Sequence, residues 1–205
     1  MKNYVVINGV TYDLVERPAG AAVEEDKGVM PEPKLADIPV GETFKLGTRE
    51  MIVLEHACGA TVAICKDLLR ESHRFGDTND FVKSDVYGLC AAFVEEVSGI
   101  VGPENLEEFE VDLTSDDGLN DYGVVRCKAA PLTADQYRRY VYVLDKHRLD
   151  AWWWLATPWS TPTHDDSTFV RCVSPVGNVN NYYFCDNGNG VRPFCILKSD
   201  IFVSR

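Results

Sequence analysis

The chain has 205 residues, of which 45% are hydrophobic and 25% charged, which suits one domain or one domain with a small appendage. A formal net charge of −12 argues against a nucleic-acid or anionic-membrane partner, since both need basic patches, and the acids are spread rather than clustered. No run approaches the ~20 apolar residues of a membrane span. The N-terminus has no apolar core and no small-residue cleavage site, so cytoplasmic synthesis without a signal peptide is expected, with later association with a virion left open. Seven cysteines, an odd number with no Cys-x-x-Cys pair, predict buried thiols in a reducing compartment rather than a zinc or redox motif.

In chain order, residues 1–16 predict a β-hairpin, because YVVI and VTYDLV flank Asn8-Gly9, a dipeptide suited to a type I′ turn. Residues 17–34 hold three prolines among small and acidic residues and have the composition of a linker. A main domain is expected over 35–205. FKLG and EMIVLEH predict two strands around Gly47-Thr48, and TVAIC a third. Over 84–100 the spacing of Val86, Leu89, Cys90, Phe93, Val97 and Ile100 predicts a helix with one buried face, ended by Gly102-Pro103. Thr133 and Gln136 fit a capping box for a second helix, whose apolar face is Tyr137, Tyr140, Val141 and Leu144. From Asp150, short strand candidates (AWWWLAT, FVRCVSP, NVNNYYF, RPFCIL) alternate with turn residues, which together with two preceding helices suggests an α+β domain. Strand alternation would set Trp152 and Trp154 on one face and Trp153 on the other.

The stretches WWWLATPWS, VRCVSPVGNV and GNGVRPFCIL resemble the signature of a family of bacterial and phage proteins with a C-type-lectin-like fold. That fold is related to formylglycine-generating enzymes and to the variable proteins of diversity-generating retroelements. The resemblance covers roughly residues 35–203. It implies two helices, a small antiparallel sheet and a long irregular C-terminal loop region that binds ligand. It also implies a protein or cell-surface partner, with receptor binding as the role; no enzymatic activity is expected, because the H-x3-H-x-E spacing and the G-x-S-x-G elbow are absent.

Two segments are the candidate surface. The first is Trp159 and the loop after it, with Thr161, Thr163, His164, Asp165 and Ser167 as hydrogen-bonding groups. The second starts with Asn178, Asn180 and Asn181, continues with the aromatic run Tyr182, Tyr183 and Phe184, and closes with Asp186, Asn187 and Asn189. Aromatic rings supply rigid contact area and asparagines adaptable hydrogen bonds. Val191 and Phe194 are expected in the core, and Arg192 as a buried ion-pair partner. The acids Asp112, Asp116, Asp117 and Asp121 miss EF-hand spacing and are expected to serve as turn residues. The histidines match no metal motif, the calcium signatures of sugar-binding lectins are absent, and neither metal nor cofactor is expected.

From Ser160 to Leu197 the chain has no Lys, Glu, Gln, Met or Trp, types that number 31 in its 205 residues. None of these five has a codon ending in a pyrimidine, so adenine-directed diversification of Asn codons would leave this pattern. An ordinary turn-rich β segment would leave it too. A second functional reading is a metal-dependent oxidase using Cys185 and Cys195, since copper(I) favours thiolates. A third is an acidic intracellular interaction protein encoded by a phage. Oligomerisation is left open.

Overall fold

The computed structural model describes residues 4–7, 10–13, 32–186 and 188–205. The chain divides into two compact units, Met1–Pro31 and Glu32–Arg205. In the first, strands β1 (Tyr4–Ile7) and β2 (Val10–Asp13) pair antiparallel, with Tyr4 opposite Asp13 and Ile7 opposite Val10. The Asn8-Gly9 turn and residues 17–31 of the expected linker lie outside the described residues. Residues 32–34 belong to the larger unit: the Pro33 carbonyl accepts from the Val203 amide, and Lys34 bridges to Phe202.

The larger unit opens with a meander, β3 (Thr43–Leu46), β4 (Arg49–Ala57) and β5 (Ala60–Cys65). Gly47 turns the first corner with φ +57°, which a side chain would strain. A register shift between Val53 and Glu55 bulges β4 and bends the sheet. Helix α1 (Asp85–Val101) follows, its first turn capped by the Ser84 hydroxyl accepting from the Tyr87 amide. Val86, Cys90, Phe93 and Val97 are buried as the spacing predicts, but Ile100 is exposed, because the last turn runs past the edge of the sheet toward Gly47.

Four short strands come next: β6 (Leu106–Glu107), β7 (Phe109–Asp112), β8 (Val124–Cys127) and β9 (Ala129–Pro131). Helix α2 (Ala134–Leu144) carries the predicted capping box with both bonds present. The Gln136 amide donates to the Thr133 hydroxyl at 3.2 Å, and the Thr133 amide to the Gln136 side chain at 2.9 Å. The chain then runs through β10 (Trp152–Pro158), β11 (Phe169–Val173), β12 (Val179–Tyr183), β13 (Asn189–Gly190) and β14 (Pro193–Lys198).

These strands overturn the expected α+β, C-type-lectin-like architecture. Strands take 36% of the described residues and helices 25%, in a predominantly β mixed fold with a half-barrel sheet. That sheet has the order β3-β4-β5-β14-β6, with β9 also pairing β14; a second sheet is β12-β11-β10-β13, and β7-β8 forms a third. The sheet is thus not small, and the C-terminal third is strand rather than long irregular loop. The reason is non-local pairing. Strand β14, nearly continuous in buried apolar residues, inserts between β5 and β6 at the centre of the sheet, with Phe194 opposite Ile64. Such a partner is invisible to local pattern.

The tryptophans follow the alternation. Trp154 is fully buried, donates its Nε1–H to the His73 carbonyl at 2.7 Å, and meets Phe75 edge-on at 5.6 Å. Trp153 faces the other way, against Tyr137 of α2 and the Arg192 guanidinium. Among the described residues no helix is long and apolar enough to cross a membrane.

Candidate functional site

The second sheet presents one face to solvent beyond the end of α2. Its residues are fixed by register: Phe169 lies opposite Tyr183, Arg171 opposite Asn181, and Val173 opposite Val179. Side chains alternate across a strand, so Phe169, Arg171, Asn181 and Tyr183 share this face. The Phe169 and Tyr183 rings stack with centroids 4.2 Å apart. The Arg171 guanidinium lies over Trp159 at 4.4 Å from the ring centroid and pairs with Asp116 at 2.6 Å. The result is a row, Trp159–Arg171–Phe169–Tyr183, on a rigid sheet. Tyr183 is 51% exposed and Trp159 36%.

The sheet splits the predicted aromatic cluster. Tyr182 and Asn180 lie on the opposite face, where Tyr182 meets Trp152 at 6.1 Å. Phe184 is half-buried, its amide bonded to the Thr168 carbonyl and its carbonyl to the Phe75 and Gly76 amides. Asn178 is exposed in the turn before β12, and Asp186 half-buried after it. Asn189 is not on the surface: it is 1% exposed, and its side-chain nitrogen has no hydrogen-bond partner among the described residues. Asn187 lies outside the described residues.

The loop after Trp159 is held by the acidic run rather than free. Asp117 accepts from the Ser115 hydroxyl, from the Ser160 hydroxyl at 2.6 Å and from His164 at 2.9 Å. The Ser115 bond first, then Ser160 and His164, keep its carboxyl well below the usual carboxylate range. Asp121 is also lowered. Buried Thr161 turns its hydroxyl toward Asp121 without full hydrogen-bond geometry, and Thr163 donates both hydroxyl and amide at 3.0 Å. So Asp117 and Asp121, expected to be turn residues only, clasp a loop more than forty positions away. The expected turn role is also present: Asp112 accepts from Thr114, and Asp117 from Ser115 within the turn. Thr163 and His164 thereby spend polar groups on the fold. Asp165 is exposed in left-handed backbone, φ +53°, and Ser167 is half-buried beside it.

A cleft of about 600 Å³ adjoins the row at Asp116. Glu110, Asp112, Asp116 and Asp135 line it against Arg138, which bonds Asp135 at the rim. Glu110 is also paired with Arg126, and Asp116 with Arg171 and Arg138, so most of this acidity is balanced, and α2 begins at the cleft wall with Ala134 donating to the Thr157 hydroxyl at 2.9 Å.

Residues 106–199 match a family model described as a domain of unknown function, DUF6273. No curated protein and no solved structure matches the chain. The matched stretch is what the chain is similar to. It contains the whole aromatic row and the clasp, and it stops short of β3–β5.

The GVRP motif inside it is structural. Gly190 has no room for a side chain, because Leu68 and the Arg70 carbonyl crowd its Cα. Arg192 is 1% exposed and, contrary to expectation, pairs with no carboxylate among the described residues. It donates instead to the carbonyls of Cys65 at 2.8 Å and Lys66 at 3.0 Å, and burial pushes its pKa down to about 10. Cys195 is fully buried in β14, burial raising its thiol pKa, whereas Cys185 is exposed in the turn after β12. The pair considered for copper is thus split between the core of one sheet and the surface of the other. Among the described residues no three His, Cys, Asp or Glu side chains are grouped to hold a metal ion.

Sequence reasoning missed Arg171, Phe169 and Asp116. Arg171 lies in a strand candidate, and its neighbourhood with Trp159 depends on how β10 and β11 pair. The segment without Lys, Glu, Gln, Met or Trp contains β11, β12, β13 and most of β14, so it runs through core as well as surface.

Proposed function

We propose that this chain binds a protein or cell-surface partner on the Trp159–Arg171–Phe169–Tyr183 face and performs no chemistry of its own. The observation that carries the reading is the row itself: the exposed Trp159 and Tyr183 rings, braced by the half-buried Phe169 ring and by the mostly covered Arg171 guanidinium, which Asp116 holds. Tyrosine, tryptophan and arginine are the side chains that anchor interfaces, the aromatic two because they give large contact area for little lost entropy and arginine because its planar guanidinium stacks and donates several hydrogen bonds. The net charge of −12 supports a partner that carries basic groups beside the aromatic contact. That feature favours the reading of an acidic interaction protein with a cationic partner, and it makes binding weaken with added salt.

The test uses whole bacterial cells, an array of surface glycans and a displayed peptide library as probes. Wild type is compared with Trp159→Ala/Tyr183→Ala. The expected result is binding by wild type to at least one probe class, reduced about ten-fold or more in the double variant, with unchanged thermal unfolding. Equal binding by a folded double variant, or no binding by wild type to any probe, refutes the proposal. Tyr182→Ala, on the other face, serves as the control and should bind like wild type.

A further inference from the structure

Strand β12 is the edge of its sheet. Edge strands are normally protected by charge, proline, a bulge, shortness or cover, because their free amides and carbonyls recruit other strands. Among the described residues, every other edge of the larger unit is protected in one of these ways. Strand β3 carries Lys45, whose amide is covered by the Ser204 carbonyl at 2.7 Å. Strands β6 and β13 have two residues each, and the His73 amide covers the Asn189 carbonyl of β13 at 2.8 Å. The β7-β8 pair carries Glu110, Asp112 and Arg126. Strand β12 is Val-Asn-Asn-Tyr-Tyr: no charge, no proline, and an unbroken five-residue register with β11.

The phase of that register shows which groups are free. The Ser174 amide bonds the Asn178 carbonyl at one end, and the Phe184 amide bonds the Thr168 carbonyl at the other. In an antiparallel pair, hydrogen-bonded residues alternate along the strand. Asn178, Asn180 and Tyr182 therefore turn their backbone groups to β11, and Val179, Asn181 and Tyr183 turn theirs outward, although the Tyr183 carbonyl already accepts from the Asp186 amide at 3.1 Å.

We infer that two copies of this chain pair antiparallel through β12, across a two-fold axis at Asn181, joining their four-stranded sheets into one. The strand is complementary to itself in this register. Asn181 meets its own copy, and Val179 meets Tyr183 of the second copy, a β-branched–aromatic pair of the kind that stabilises sheets. The outward groups not already bonded give about four new backbone hydrogen bonds. Charge permits the same occupant. Two chains of net charge −12 repel over most of their surfaces, and they can approach at a strand with no charge at all. Dimerisation sets the two aromatic faces side by side, with Tyr183 of each beside Val179 of the other. The inference goes beyond the ligand reading: the two share Tyr183, but Trp159 and Arg171 lie away from the edge.

The experiment is sedimentation equilibrium of the full chain from about 1 to 200 µM, a range suited to the weak association of a small interface. Wild type should reach twice the monomer mass within that range. Asn181→Pro removes an amide that β11 does not use, and should stay monomeric throughout, at least about 100-fold weaker in self-association. If proline unfolds the sheet, Asn181→Lys decides, because it puts two like charges opposite each other at the axis. A wild-type chain that is monomeric at 200 µM overturns the inference, whatever other strand the edge takes up. So does a folded Asn181→Pro or Asn181→Lys variant that dimerises like wild type. Ligand binding by a monomeric wild-type chain would leave the proposed function standing and sink only the dimer.

Discussion

Asp117 shows how one carboxylate can organise a surface without belonging to it. It gathers Ser115, Ser160 and His164, and so sets the path of the loop that follows Trp159. These donors depress its folded pKa below that of the unfolded chain. Its contribution to stability is therefore present above the ordinary carboxylate pKa of about 3.9 and is lost as pH falls below that range toward the folded value. Asp117→Asn is expected to cost about 1 kcal/mol at neutral pH, discounted for the side chain's partial exposure. Urea unfolding at stepped pH checks this: the gap between wild type and variant should narrow as pH drops from about 5 to about 2. A gap that does not change with pH would assign the clasp to neutral hydrogen bonding. The chemistry of this residue type was legible in the sequence. Its partners were not, because His164 is 47 positions away.

At the scale of elements, local signals and their outcomes agree where the physics is local. The Thr133–Gln136 box forms because both partners lie within one helical turn. Thr133→Ala should lower stability by about 1 kcal/mol, while Thr133→Ser should leave it nearly unchanged; thermal or urea unfolding measures both. An equal loss in the two variants would mean that packing of the Thr133 methyl, not the cap, matters. The alternation of Trp152, Trp153 and Trp154 was readable for the same reason. Strands β6–β9 were missed, since segments of two to four residues have too little length for a period to show. Ile100 fits the helical stripe yet is exposed, because a stripe says which residues share a face and not how far the covering sheet extends.

On the scale of the whole molecule, β14 is the keystone. It lies between β5 from the first half of the chain and β6 and β9 from the second. The segment 106–199 contains the candidate surface but lacks β3–β5, so β14 within it has lost one neighbour and Cys195, Phe194 and Leu197 lose cover. A fragment of residues 106–199 is expected not to unfold cooperatively, whereas residues 32–205 should, as followed by circular dichroism on heating. A cooperative transition in the shorter fragment would show that the second sheet and α2 form an independent core.

Charge, the lack of a long apolar span, the capped helix and the alternation along β10 follow from sequence by itself, because each depends on composition or on neighbours within a turn or two. The candidate surface was readable as two segments, Trp159–Ser167 and Asn178–Asn189, but not as a face, and Phe169 and Arg171 fall between them. Strand pairing decided that Tyr183 joins Phe169, Arg171 and Trp159, that Tyr182 turns away, and that Asn189 is buried. Pairing also decided the fold, replacing the expected small sheet and irregular C-terminus with a half-barrel centred on β14. Contacts between distant segments are set by the free energy of the whole chain, so a pattern read one window at a time does not contain them.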